Sequence, residues 1–170
     1  QIGGLLRYGI PDFKLNKTII DRRIEVMEAE GVIFKTNTNV GVDIKSEELL
    51  RDFDAIILTG GSTIPRDLNI PGRDLKGVHF AMEFLSQQNK RIADESGLSI
   101  DFSTDHSAAK YENGEIKATG KNVVVIGGGD TGSDCVGTSN RHGAKSVSQI
   151  EIMDKPPTDR DDSTPWPQWP

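Results

Sequence analysis

The spacing of apolar positions changes several times along the chain, and each change predicts an element. Over residues 18–28, Ile20, Ile24 and Met27 recur at helical spacing while Arg22, Arg23, Glu25 and Glu28 cover the other face. Asn16 or Thr18 is placed to cap this helix, Asp21 stands three residues after Thr18 as in a weak capping box, and Gly31 is its stop. Residues 32–36 then read as a strand. Residues 54–58 form a second, continuously apolar strand, of the kind buried on both faces of a parallel sheet, and it breaks at Thr59-Gly60-Gly61. Residues 78–88 are expected to be helical, with Phe80, Phe84 and Leu85 on one face. Residues 89–119 are polar and aperiodic, which predicts an exposed linker with a small hairpin near Asn113-Gly114.

The clearest unit begins at Lys121. Val123, Val124, Val125 and Ile126 make a short buried strand, and a glycine-rich turn follows at once. A helix is expected from Asp130 to His142 with Gly143 as its stop, then a second strand over residues 147–153. This is the first β-α-β of a Rossmann-like α/β domain. The domain boundary is set at 75/76, with the nicotinamide-nucleotide part running over 76–170. The stretch 156–170 holds five of the eight prolines and both tryptophans, so neither regular helix nor central strand is expected there.

The turn reads Gly127-x-Gly129-x-x-Gly132 between strand and helix, the context that gives this motif its meaning. The first glycine makes the tight turn, the second lets a pyrophosphate approach the backbone, and the third lets helix and strand pack closely. Bare N–H groups at a helix N-terminus attract a phosphate anion. Gly128 and Thr131 lie within the same turn. Asp130 puts a carboxylate there, either to cap the helix or to meet the cofactor. Glu151 and Asp154 lie about 20 residues beyond the glycines, where a Rossmann domain selects the cofactor's 2′ position. A carboxylate there accepts hydrogen bonds from a 2′-hydroxyl and repels a 2′-phosphate, which favours NADH. Lys155 and Arg160 leave room for NADPH.

Composition narrows the class. The 170 residues carry 20 basic and 26 acidic side chains, net -6, which argues against a nucleic-acid partner. No apolar run approaches the roughly 18 residues of a membrane span. The start, Gln1-Ile2-Gly3-Gly4, has neither an initiator methionine nor a signal-peptide pattern, so the chain reads as a piece of a longer cytoplasmic protein. A single cysteine, Cys135, excludes an internal disulfide; it is expected to be a packing residue. His79, His106 and His142 share no metal-ligand spacing, so no metal site is expected, and no catalytic acid or base is assigned.

The chain resembles the glutamate synthase small-subunit family, within the FAD- and NAD(P)H-dependent pyridine nucleotide oxidoreductases. The resemblance is carried by GGLLRYGIPDFKL at 3–15, LTGG at 58–61, PRDL at 65–68 and IPGR at 70–73. It continues with GVHFAMEFL at 77–85, VIGGGDTGSDCVGTS at 125–139 and PWPQWP at 165–170. The resemblance implies that residues 1–75 are the later portion of an FAD-binding domain. Gly3, Gly4, Leu5 and Lys14 would lie along the FAD, Val40 near its adenine, and Thr59 and Gly60 near its diphosphate. Residues 127–132 would hold the NAD(P)H pyrophosphate. Iron–sulfur clusters would lie outside this chain, and the partner would be a glutamate synthase large subunit or fused amidotransferase and synthase domains. Taken alone, the piece is expected to be inactive. Two alternatives stay open: a related reductase feeding another oxidoreductase, and a non-catalytic nucleotide-binding module.

Overall fold

The computed structural model describes residues 1–95 and 115–154, with Asp162 and Pro165. They belong to two units, Gln1–Ile116 and Lys117–Pro170.

The first unit is helical where it is regular. Helix α1, Gly4–Tyr8, is entered through Gly3 at φ +123°. A Cβ at Gly3 would lie 3.1 Å from Cβ of Arg7 and 3.2 Å from Cγ2 of Ile20, so the position is held by both its dihedral angle and its neighbours. Helix α2, Lys17–Ala29, is capped by Asn16, whose side-chain oxygen accepts from the Thr18 N–H at 2.9 Å. Asp21 is not part of a capping box; it pairs instead with buried Arg7, which also donates to the Ile2 carbonyl. The expected stop is present. Gly31 lies at φ +94°, with its N–H on the Glu28 carbonyl and the Val32 N–H on Met27, the two bonds of a Schellman end. Helix α3, Ser46–Asp52, packs against no other described helix, whereas α1 packs on α2 and on α4, Ala81–Glu95.

Three expectations are corrected here. Residues 32–36 and 54–58 form no strands: Ile33, Ile57 and Leu58 are 81%, 83% and 91% exposed. A strand of a buried parallel sheet exists only through neighbours that take its N–H and C=O groups, and no described strand lies beside either run. The linker expected over 89–119 is helical as far as Glu95. Asn89 is the reason: it is buried, and its Nδ2 donates to the carbonyls of Gly9 and Ile10, each at 3.2 Å, tying this part of α4 to the exit of α1. Leu85, 2% exposed, anchors the same face. The hairpin expected near Asn113-Gly114 lies outside the described residues, as does most of the proline- and tryptophan-rich stretch.

The second unit is a parallel β-α-β. Strand β1, Asn122–Ile126, pairs with β2, Ser146–Ile150, in the register Val123↔Val147 and Val125↔Gln149. Helix α5, Asp130–Arg141, packs on both strands and buries Asp134, Cys135, Thr138 and Ser139. Val125 of β1, also buried, alternates with exposed Val124 and Ile126 on the other face. The helix ends as α2 does: the Gly143 N–H reaches the Asn140 carbonyl and the Ala144 N–H reaches Ser139, with Gly143 at φ +73°. The second strand was expected to reach residue 153 but stops at Ile150. Beyond it the Glu151 carboxylate takes the N–H groups of Ile152 and Met153 at 2.7 and 3.2 Å, which bends the chain away from the ladder.

Candidate dinucleotide-binding turn

The site is built at the end of β1. The Gly127 N–H closes the ladder onto the Ile150 carbonyl at 2.8 Å, and the chain then turns at Gly127 with φ +119°, a conformation that strains any residue with a Cβ. Gly129 is the N-cap residue of α5, with φ −72° and ψ −176°, and nothing lies within 4 Å of where its Cβ would stand. Any side chain is sterically possible there on the backbone alone; what glycine supplies is open access. At Gly132 the opposite holds. A Cβ would stand 2.3 Å from the Gly127 carbonyl oxygen and 2.8 Å from Nε2 of Gln149. The three glycines thus stand in three different settings: positive φ at Gly127, open surroundings at Gly129 and a close backbone approach at Gly132.

The N-cap residue of α5, Gly129, has no side chain with which to cap it. Asp130 is the first residue of the helix, exposed, and not its N-cap, so the capping alternative for this residue does not hold. Thr131 is exposed beside it. The first N–H groups of a helix have no intrahelical partner and attract anions.

Glu151 reaches this corner from the end of β2. A Cβ at Gly128 would stand 1.4 Å from its Oε2, so the carboxylate lies over the glycine turn. Asp154 is exposed three residues further on. The structure therefore brings Glu151 to the glycines through its own side chain. Cys135 sits on the buried face of α5, its thiol pushed up to about 11 by burial and, second, by the Asp134 carboxylate. It packs and is not poised to react. Among the described residues no group of His, Cys, Asp and Glu is arranged to hold a metal ion.

Gln149 was not singled out in the sequence. Its Nε2 donates to the Gly127 carbonyl at 2.7 Å. It is an exposed strand residue, where a polar side chain is ordinary, so the sequence carries no signal for this contact.

The residues assigned to FAD by resemblance lie on separate pieces of the first unit. Gly3, Gly4 and Leu5 form the start of α1, and Lys14 lies in the segment that leads to α2. Val40 makes an isolated parallel bridge with Ile44, and Thr59 and Gly60 are in irregular, exposed chain. Gly4 and Gly60 have nothing within 4 Å of a Cβ, so bare backbone is presented at both.

Residues 23–164 match the family described as pyridine nucleotide-disulphide oxidoreductase. The chain belongs to that family. Its fold is accordingly Rossmann-like α/β, of which the parallel β-α-β is the part seen here. The chain is 52% identical, over 100% of its length, to "Glutamate synthase [NADPH] small chain" of Mycobacterium tuberculosis, of which it covers 33%. It is 47% identical to the protein of the same name from Bacillus subtilis, over 100% of its length and 32% of that protein. It is 49% identical to "Glutamate synthase [NADH]" of Schizosaccharomyces pombe, over 99% of its length and 7% of that protein. The chain thus spans about a third of the small chains that it matches. Among the described residues no helix is long and apolar enough to cross a membrane.

Proposed function

We propose that the chain is part of the electron-input arm of a glutamate synthase. In the proposed reaction, hydride passes from NAD(P)H to FAD, and the electrons travel on through iron–sulfur clusters to make glutamate from glutamine and 2-oxoglutarate. The observation that carries this reading is the glycine turn between β1 and α5, with Gly127 at φ +119° and Gly132 packed on the Gly127 carbonyl, supported by relatives named for glutamate synthase along the whole chain. Gly127, Gly128, Gly129, Asp130, Thr131 and Gly132 would surround the NAD(P)H diphosphate. Gly3, Gly4, Leu5, Lys14, Val40, Thr59 and Gly60, within the later portion of an FAD-binding domain at 1–75, would lie along the FAD. The redox chemistry belongs to the cofactors, and the residues of this chain place them. A single cysteine cannot hold a cluster, so the iron–sulfur centres would be supplied by other parts of the protein or by its partner, a large subunit or fused synthase domains.

The relatives' names include both NADPH and NADH, so similarity does not choose between them. Glu151 and Asp154 favour NADH, since a carboxylate accepts from a 2′-hydroxyl and repels a 2′-phosphate. The test is titration of the full-length protein with NADH and NADPH, following flavin bleaching, alongside Glu151→Ala and Asp154→Ala. Tighter NADH binding that narrows or reverses in Glu151→Ala is expected. Equal affinities untouched by either substitution would remove these carboxylates from the reading, and a protein that binds neither dinucleotide would remove the reading itself.

A further inference from the structure

The glycine corner is held in place by a side chain that none of its glycines accounts for. Gln149 faces Val125 across the β1–β2 ladder, and cross-strand partners point to the same face of a sheet. Val125 is buried on that face, beneath α5. Gln149 itself is exposed, and its Nε2 donates to the Gly127 carbonyl at 2.7 Å. The space for this bond depends on Gly132, where a Cβ would stand 2.8 Å from that same Nε2. The absent side chain of the third glycine thus makes room for the amide as well as for close packing.

The consequence follows from peptide geometry. The carbonyl of one residue and the N–H of the next point in opposite directions across a trans peptide. Tying the Gly127 carbonyl to Gln149 turns the Gly128 N–H away from Gln149. The Gly127 N–H is already fixed on Ile150, so the peptides on both sides of this glycine are anchored. Without the glutamine, a residue at φ +119° with no Cβ has many other conformations to visit.

We propose that Gln149 is a positioning residue for dinucleotide binding: it locks the Gly127–Gly128 peptide so that the Gly128 N–H is presented to the cofactor's diphosphate. This rests on the proposed function, because the ligand is the dinucleotide of that reading. Gln149 touches the loop and not the cofactor, so its effect falls on binding.

The test uses the full-length protein with Gln149→Met, which keeps the size and loses the donor, and Gln149→Glu, which keeps the shape and replaces the donor by an acceptor. Affinities are measured for NADH, NADPH, ADP-ribose and adenosine. Loss of one preorganised donor is expected to weaken the preferred dinucleotide and ADP-ribose about tenfold in both variants, leaving adenosine, which has no phosphate, unchanged. In turnover the loss falls on KM for the dinucleotide and not on kcat. Should Gln149→Glu fail to fold, Gln149→Met carries the test. If ADP-ribose binds both folded variants as it binds the wild type, Gln149 has no positioning role, while the dinucleotide reading stands. A wild type that binds no dinucleotide overturns both.

Discussion

Cys135 shows how much a single residue's environment adds to its sequence context. By position it is in the first half of a helix, where a thiol pKa can fall. In the fold it is buried, and its pKa is pushed up to about 11 from an ordinary 9.0, by desolvation first and the Asp134 carboxylate second. A group whose folded pKa is raised stabilises the fold fully below its unfolded value, and that contribution fades as pH rises from about 9 through about 11. Iodoacetamide is therefore expected to label the native thiol very slowly near neutral pH, with a rate midpoint near 11, and the denatured chain with a midpoint near 9. A native midpoint at or below 9 would contradict the buried environment. The burial of Cys135 was legible from composition and helical placement. The partnerships of Arg7 with Asp21, and of Gln149 with Gly127, were not, because each joins residues that only the fold brings close.

At the scale of elements, the glycine turn separates two kinds of requirement that the sequence motif merges. Gly132 is a packing glycine, and a methyl there meets backbone at 2.3 Å. Gly132→Ala should destabilise the second unit by about 2 kcal/mol, the order expected for an overpacked contact that forces helix and strand apart. Gly129 has ordinary φ and open surroundings, so Gly129→Ala should change stability by no more than about 0.5 kcal/mol while weakening dinucleotide binding. Denaturant midpoints and cofactor titrations on the two variants check this. A Gly132→Ala protein as stable as the wild type would refute the packing role. Helices α2 and α5 were legible almost to the residue because their ends are local: Asn16 caps one, and Gly31 and Gly143 end both in the same two-bond motif. The extension of α4 to Glu95 was not, since Asn89 acts through carbonyls about eighty positions away.

At the scale of the 170-residue chain, which covers about a third of the small chains it matches, the first unit carries exposed apolar positions. Ile33, Ile57, Leu58 and Ile64 are all more than four-fifths exposed. Large exposed apolar stretches bind hydrophobic probes. The 170-residue chain is expected to bind 8-anilinonaphthalene-1-sulfonate under native conditions, and Leu58→Ser should lower that binding while changing stability by no more than about 0.5 kcal/mol. A chain that gives no dye fluorescence would mean that residues 54–58 are covered. The net charge of -6 disfavours self-association near neutral pH in spite of this surface.

The sequence by itself determined the features whose cause is local. Glycine spacing after an apolar strand set the turn, since positive φ and bare backbone belong to the residue type. Helical periodicity with an N-cap and a glycine stop set α2, and the glycine turn with the Gly143 stop set α5. Tertiary structure decided whether apolar runs became strands. Residues 122–126 did, because 146–150 lie alongside to share their hydrogen bonds; residues 54–58 did not, having no described strand beside them. It also decided which polar side chains hold the corner in place. A strand's hydrogen bonds and a glutamine's partner are both supplied from elsewhere in the chain, and no run of neighbouring residues encodes them.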